Sequence, residues 1–207
     1  MPRLLLPTAL SISLLSVANA SAQSLSFDEI QAKMAERVGQ KNSYRALLQD
    51  PDPDSALAAM QIMLESGDPE LQRMALEHGL FSPSPVVQRT ALQGFFDSGP
   101  VLNIALNPGE ANGNGWFKQN VENWAGSIDA EGNGHISYKI GAYDAEDACY
   151  KYTTSDTCYL RLTDANVMAN LWDRWWSLTL NEEGNLVGSG SMPNVETTVA
   201  VVVPIAQ

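Results

Sequence analysis

Two hydrophobic periodicities divide the chain. From residue 24 to 98, apolar residues recur at the three- and four-residue spacings of amphipathic helices. From residue 101 to 207, apolar and polar residues alternate, and glycine, asparagine and aromatic residues become more frequent. The change falls at Gly99-Pro100. The pattern predicts an α+β fold, in which a short antiparallel array of helices precedes a mainly antiparallel β-sandwich or small barrel.

Helix-start signals recur in the first half. Three of them stand 16 residues apart: Asp52-Pro53, Asp68-Pro69 and Ser84-Pro85. Asp or Ser caps each helix, and proline takes the first helical position, where its missing N–H costs nothing. Glycines are expected to end these helices, namely Gly67, Gly79 and Gly99. Upstream, a capping box at Ser26–Glu29 predicts a helix towards Val38, and a second short helix is expected from Tyr44 to Gln49.

The segment from about residue 52 to 98 resembles HEAT-type helical repeats. The resemblance is clearest in Asp68–Ala75 and Ser84–Ala91, where Gln72-Arg73 in one unit matches Gln88-Arg89 in the next. HEAT-like arrays usually bind proteins, so the resemblance implies a docking surface. The alternative is a small helical bundle that packs on the β half. Residues 100–207 suggest no known family.

Turn signals separate short alternating segments in the second half. Eight strands are expected: Val101–Leu106, Gly126–Asp129, His135–Gly141, Ala148–Lys151, Cys158–Leu162, Trp176–Leu180, Asn185–Gly190 and Glu196–Val203. Val199 to Val203 is apolar on both faces, which predicts a central strand. A short helix capped by Asp164 is expected as far as Trp172.

The first residues indicate export. Residues 1–22 combine Arg3, an apolar stretch and small residues, which is typical of a secretory signal peptide cleaved after Ala20 or Ala22. The apolar stretch is shorter than the roughly 20 residues that a membrane span needs. The predicted organisation is therefore a signal peptide at 1–22, a helical-repeat domain at 23–99 and a β-rich domain at 100–207. A periplasmic or secreted location without membrane insertion is expected.

The two cysteines agree with export. Cys149 and Cys158 flank a predicted strand–turn–strand unit, and a symmetric hairpin would place them opposite each other. An even cysteine count in an exported chain favours a disulfide. A redox pair or a metal site is the less favoured alternative, because the chain has no C-x-x-C motif and no histidine near these cysteines.

The charge excludes some partners. The formal net charge is −12, and a strongly acidic surface repels nucleic-acid phosphates and anionic lipid headgroups. We therefore expect no nucleic-acid partner. Acidity suits solubility at high salt or a cationic partner, and simple solubility is the plainer interpretation.

One loop resembles a calcium-binding loop of the EF-hand kind. Asp129, Glu131 and Asn133 place side-chain oxygens at alternate positions, and glycine allows a sharp turn. Ile140 stands where the loop should close with a bidentate glutamate. The favoured interpretation is therefore a tight turn with Asn133-Gly134 at its tip, and no cofactor is expected.

All five tryptophans lie in the β half: Trp116, Trp124, Trp172, Trp175 and Trp176. Exposed tryptophans beside Asn and Asp suit a sugar-binding face, whereas buried ones build a β core. Trp175 and Trp176 are neighbours in a predicted strand, so they should point to opposite faces.

No catalytic constellation is visible: the residues show neither a nucleophile elbow nor a zinc-binding pattern. The leading hypothesis is an exported, non-catalytic protein that binds proteins or takes part in envelope assembly. The first alternative is a carbohydrate or small-ligand binding module that uses the tryptophans. The second is a hydrolase whose pair of acids has no recognisable spacing.

Overall fold

A computed structural model describes residues 25–164 and 166–206. The predicted signal peptide lies outside these residues. The described residues as far as Gln40 form one unit, and those from Lys41 onwards form a second, compact unit. The helices are α1 (Phe27–Leu48), α2 (Pro53–Glu65), α3 (Pro69–Leu80), α4 (Pro85–Asp97) and α5 (Gly115–Asn123). The strands are β1 (Val101–Asn107), β2 (Ser127–Ile128), β3 (Gly134–Asp144), β4 (Cys149–Tyr152), β5 (Cys158–Leu162), β6 (Val167–Leu171), β7 (Arg174–Leu180), β8 (Asn185–Gly190) and β9 (Val199–Pro204).

Helices α2, α3 and α4 repeat one local design. Each begins with proline at its first position, and the three starts are 16 residues apart, as the sequence predicts. The side chains of Asp52 and Asp68 accept hydrogen bonds from the first-turn N–H groups, whereas Ser84 makes no such bond. Gln72 donates to the carbonyl of Leu64, and the matching Gln88 donates to the carbonyls of Leu80 and Ser82. The repeated glutamine therefore ties each helix to the end of the one before it.

Two expectations for the helices are wrong. The helix towards Val38 and the helix from Tyr44 are one continuous helix, α1, because Gly39 is a tolerable interruption in a run of good helix formers. Gly79 does not end α3 but lies inside it. A Cβ there would overlap the side chains of Ala91 and Met60, so this glycine allows α3 and α4 to pack closely.

The strands form a closed barrel rather than a sandwich. Strands β3 to β9 follow one another as an antiparallel meander, and β1 pairs with both β9 and β3, which closes an eight-stranded barrel. Strand β2 pairs with Gly134 and His135 at the start of β3, whereas β4 pairs with the later part of β3, from Ile140 to Asp144. All pairings are antiparallel. The α+β class, with helices before a small antiparallel barrel, is thereby confirmed.

Helices cover both ends of the barrel. At one end, α4 lies against the β5–β6 turn, where Arg89 forms an ion pair with Asp164. Helix α4 is also bound to β4, because the Tyr150 hydroxyl donates a hydrogen bond to the carboxylate of Asp97, the last residue of α4. At the opposite end, α5 follows β1, and its Phe117 and Val121 are buried within the barrel core. Helices α3, α4 and α5 thus contribute to the hydrophobic core of the barrel. Helix α2 packs in a second hydrophobic cluster, together with α3 and α4.

The barrel interior is filled by side chains, as is usual for eight strands. Trp176 is the largest fully buried residue, and it points inwards from β7. Space for its indole exists because β8 ends in Gly190, where a Cβ would overlap the ring.

One strand prediction needs correction. Asp164 to Trp172 is not a helix: Val167, Ala169 and Leu171 face the core at period 2, and β6 pairs with β5 and β7.

The prediction of a central strand at Val199 to Val203 is confirmed, because β9 pairs with β1 on one side and with β8 on the other. Burial nevertheless alternates along β9, and Val202 is exposed, because closure of the barrel leaves each strand one outer face.

The disulfide between Cys149 and Cys158 is present, which confirms the sequence prediction. The register differs from a symmetric hairpin. Cys158 pairs with Lys151, and Leu160 pairs with Tyr150, so Tyr159 is the extra residue of a β-bulge. The bulge carries the Tyr159 side chain into the core, where it is completely buried.

We predict that Gly190→Ala destabilises the barrel by about 1–3 kcal/mol, because the new methyl group overlaps the Trp176 ring. Urea unfolding measures the change. Gly115→Ala is the control: its Cβ meets no atom within 4 Å, so its effect should stay within about 0.5 kcal/mol. Equal stability of the two variants would contradict the packing assigned to Trp176.

Removing the disulfide should cost about 2.5–3 kcal/mol, the chain entropy of a loop this short. The two cysteines are nine residues apart. The double variant Cys149→Ala/Cys158→Ala and the reduced native protein should lose the same free energy of unfolding in urea. A reduced protein as stable as the oxidised one would refute the prediction.

Candidate functional site

The five tryptophans do not share one site. Trp176 is buried inside the barrel, whereas Trp175 is 42% exposed on the outer face of β7, so the two point to opposite faces as predicted. Trp175 contacts Arg161, whose guanidinium lies 5.1 Å from the ring centroid. Trp116 is 52% exposed in the first turn of α5. Only Trp124 and Trp172 come together at a concave surface.

A continuous aromatic cluster runs from this surface into the barrel. Its members are Trp124, Tyr138, Tyr152, Tyr159, Trp172 and Trp176. The ring centroids of Trp124 and Trp172 are 5.0 Å apart, and those of Trp172 and Trp176 are 5.9 Å apart. Tilted and edge-on contacts of this kind are favourable because the ring quadrupoles attract. The cluster fixes the positions of the rings that reach the surface.

Several polar atoms within the cluster have no hydrogen-bond partner among the described residues. They are the hydroxyls of Tyr138 and Tyr159 and the Nε1 of Trp176. Burial raises the pKa of Tyr159, so its hydroxyl keeps its proton. Tyr152 differs, since its hydroxyl donates to the carbonyl of Asn170. Unsatisfied polar groups of this kind are uncommon in protein cores and cluster at functional sites.

The aromatic cleft, as we name it, is an open depression of about 420 Å³ at the barrel end that α5 covers. Its apolar wall is made by Trp124, Tyr152 and Trp172. Its polar groups include Asn123, Thr157 and Asp173. Four chain segments meet here: the end of α5, the β4–β5 turn, the β6–β7 turn and the loop after β8.

The β6–β7 turn has an unusual backbone. Its two central residues, Trp172 and Asp173, have φ of 53° and 58°, the positive values of a type I′ turn. Such turns prefer Asn and Gly, and a positive φ is strained for a residue as bulky as tryptophan. The Nε1 of Trp172 donates to the carbonyl of Asn120, and the Asn120 amide donates to the carbonyl of Pro193. These bonds hold the strained turn against α5 and the loop after β8.

Sequence reasoning identifies two residues of this site, Trp124 and Trp172, but it gives no indication of Tyr152, Asp173 or Asn120. One signal was present in the sequence. Asn114 precedes a helical pattern, and in the structure its side chain caps α5 through the N–H groups of Trp116 and Phe117.

The loop that resembles a calcium site is a tight turn, which is the interpretation that the sequence favours. Its tip is at residues 130–132 and not at Asn133-Gly134 as expected, because Gly134 already pairs with Ile128 in the strand ladder.

The carboxylate of Asp129 holds this turn together. It accepts hydrogen bonds from the N–H groups of Glu131 and Asn133 and from the Asn133 side chain, and it also contacts Nε2 of His135 at 2.8 Å. The His135 contact and the bonds to Asn133 lower the pKa of Asp129 to about 2. Both carboxylate oxygens are therefore engaged within the turn. Calcium binding here stays an untested alternative.

One potential metal cluster occurs among the described residues, formed by Asp147, Cys149 and Cys158. The two sulfur atoms are bonded to each other in the disulfide. A disulfide sulfur does not act as the thiolate that metal binding requires, so the grouping offers only the carboxylate of Asp147.

A second surface lies on α1. Four apolar residues of its N-terminal part are between 42% and 71% exposed, namely Phe27, Ile30, Met34 and Val38, and Leu25, just before the helix, is 51% exposed. From Phe27 to Val38 the spacing is three, four and four residues, which places these side chains on one helix face. We call this face the apolar stripe. Lys33 and Arg37, both exposed, follow one flank of the stripe.

A third surface is a groove among α2, α3, α4 and the first residues of β1. Two adjoining depressions of about 330 and 400 Å³ share Leu64, Gln72, Gly94 and Ser98. Leu76 and Phe95 line its apolar part, whereas Glu65 and Asp97 line the other part. We call this surface the helical groove.

The hydrolase alternative stays an untested prediction. Asp173 is the one carboxylate among the described residues lining the aromatic cleft, whereas glycosidases use two. No helix of residues 25–164 and 166–206 combines the length and the apolar character needed to cross a membrane.

No protein-family model, curated protein or solved structure matches this chain significantly. The HEAT resemblance therefore stays a prediction, and the function must be argued from the surfaces themselves.

We predict that the Asp129 turn stabilises the fold in a pH-dependent way. Because the folded pKa is depressed, the stabilisation is complete above the ordinary value of 3.8 and is lost as the pH falls towards about 2. Asp129→Ala should lower the melting temperature at pH 7, and the difference from the native protein should shrink between these two pH values. Asp156→Ala, in an exposed turn, is the control. A difference that does not change with pH would refute the prediction.

Proposed function

We propose that this protein is an exported, non-catalytic interaction protein that assembles with copies of itself. In this assembly the apolar stripe of one copy docks in the helical groove of the next. The single observation that carries the proposal is the stripe, because four apolar side chains of one helix and Leu25 just before it are exposed together. Soluble monomers rarely expose such a surface without an interaction function. An amphipathic helix that lies in an apolar groove is a recurrent mode of protein recognition.

The charges of the chain favour this pairing. Helix α1 carries four basic and three acidic residues, whereas residues 49–207 carry seven basic and 21 acidic ones, a formal charge of −14. Lys33 and Arg37 flank the stripe, and Glu65 and Asp97 line the groove. The one basic residue among the described residues that line the groove is Arg73, which forms an ion pair with Glu77. Docking thus brings opposite charges together around an apolar contact, an arrangement that speeds association and fixes the register.

The same charges disfavour a symmetric pair of α1 helices. In an antiparallel two-fold pair, each flank of the stripe faces the same flank of its mate, so Lys33 and Arg37 would face their own copies. In a parallel pair they would face the flank with Asp28, Gln31 and Ala35. The antiparallel pair thus supplies no carboxylate and the parallel pair supplies one, whereas the helical groove supplies two.

A membrane surface is a weaker match for the stripe. The basic residues Lys33, Arg37 and Lys41 are balanced by Asp28, Glu29 and Glu36 over the same stretch of α1. The remainder of the chain is strongly acidic and is repelled by anionic lipid headgroups. A protein surface with acidic groups beside an apolar floor suits the stripe better.

Export and the absence of catalysis complete the proposal. The disulfide is typical of proteins outside the cytoplasm, in agreement with the sequence pattern at residues 1–22. The described residues that line the aromatic cleft and the helical groove include hydroxyl groups but no histidine that could activate them as a base, so binding is the activity that we assign to these surfaces.

We predict concentration-dependent association of the chain beginning at residue 23, measured by sedimentation velocity. Met34→Asp, in the stripe, and Ser98→Arg, in the groove, should each weaken association at least about tenfold. An equimolar mixture of the two variants should form a one-to-one dimer that grows no further, because each variant keeps the surface that the other lacks. Ile62→Asp is the matched control: Ile62 is 68% exposed but belongs to neither surface.

The sedimentation results distinguish docking of the stripe in the groove from a symmetric pairing of stripes. A native chain that stays monomeric at all concentrations would overturn the proposal. A Ser98→Arg variant that still dimerises, combined with a monomeric Met34→Asp variant, would show a symmetric pairing of stripes instead. Circular dichroism of every variant establishes that the fold is intact, which the exposure of Met34 and Ser98 favours.

A further inference from the structure

We infer that the aromatic cleft binds a neutral sugar ring. The site is separate from the apolar stripe and the helical groove, and the inference does not depend on self-assembly. It rests on the aromatic wall, the polar groups that surround it and the strained turn that connects them.

The aromatic wall suits the C–H face of a pyranose. Trp124 is partly exposed, and its ring lies edge-on to Tyr152 with a centroid distance of 6.2 Å. The two rings contact each other and do not enclose a pocket between them. Together they form two walls of a cleft that is open to solvent on its remaining side. A flat, amphipathic ring that stacks on one face and keeps its other groups in water fits such a cleft.

The polar groups suit hydroxyls. Asp173 is exposed at the tip of the β6–β7 turn, directly after Trp172. Its carboxylate accepts hydrogen bonds, whereas Asn123 can both donate and accept, and the Thr157 hydroxyl can do the same. A carboxylate that accepts from two adjacent hydroxyls makes the stronger, charge-assisted kind of hydrogen bond. The cleft therefore offers acceptors and donors around one stacking surface.

The strained turn is the independent observation. A glycine or asparagine would adopt the positive φ of position 172 at little cost, yet the position holds tryptophan. The turn places the Trp172 indole under Trp124 and leaves the Asp173 carboxylate at the rim of the cleft. Its bonds to Asn120, and from Asn120 to Pro193, hold this geometry before any ligand binds. Preorganisation of this kind lowers the entropy cost of binding.

The charge of the cleft restricts the ligand class. Asp173 and a net charge of −12 disfavour phosphates, sulfates and uronic acids. An organic cation is the competing ligand, because aromatic rings beside a carboxylate also attract quaternary ammonium groups. The hydroxyl and amide groups of Thr157 and Asn123 favour the sugar, since they can bond its hydroxyls but add nothing for a quaternary ammonium group.

The test is titration of the intact chain from residue 23 with cellobiose, lactose, maltose and N,N′-diacetylchitobiose, with choline as the cation probe. Isothermal calorimetry and tryptophan fluorescence give the affinity. At least one disaccharide should bind saturably, with a change in tryptophan emission. Asp173→Gly, which removes the carboxylate and tolerates the positive φ, should weaken this binding about tenfold. Trp124→Ala should weaken it at least as much.

Two matched variants control for the loss of an exposed tryptophan. Trp116→Ala and Trp175→Ala each remove an exposed indole outside the cleft, and both should bind the sugar within twofold of the native protein. The absence of saturable binding to all four disaccharides would overturn the inference. So would choline binding without sugar binding, or sugar binding that Asp173→Gly leaves unchanged. Self-association is measured separately, so either proposal can fail without the other.

Discussion

Closure of the barrel by β1 is the interaction on which the rest of the second unit depends. Strand β1 pairs with β3 on one side and with β9 on the other, so it joins the two ends of the meander. Closure removes the free sheet edges and creates an interior that must be filled. It also gives the barrel two ends, and a helix covers each of them. The aromatic cleft lies where the end of α5 meets the barrel turns, and the helical groove lies among α2, α3, α4 and the start of β1.

The end covered by α5 combines tight packing with unsatisfied polar groups. Phe117 and Val121 are buried in the core, while Asn120 binds both the Trp172 indole and the loop after β8. Beneath them, the hydroxyls of Tyr138 and Tyr159 lack partners among the described residues. A barrel built for stability alone would hold apolar residues at these positions. The polar aromatic interior and the strained turn both lie at the end of the barrel where we propose that a sugar binds.

Helix α1 presents the opposite situation. Its C-terminal part supplies Tyr44 and Leu48 to a hydrophobic cluster with α2 and α3, whereas its N-terminal part exposes the apolar stripe. One helix therefore carries both a packed part and a part whose apolar side chains are exposed. The three helices after it keep the 16-residue repeat and the glutamine bonds between neighbours, and they supply a groove with the complementary charge.

Local signals in the sequence determined the elements that depend only on neighbouring residues. The proline starts of α2, α3 and α4, the disulfide and the opposite faces of Trp175 and Trp176 follow from spacing of a few residues. Tertiary structure decided the features that depend on partners distant in sequence. Strand β6 is a strand because β5 and β7 pair with it, and Tyr159 turns inwards because the register of β4 and β5 skips it. The cleft joins residues from four segments, and only barrel closure brings those turns to one end. Periodicity reports which face of an element is apolar, but it carries no information on which strands pair or where their turns meet.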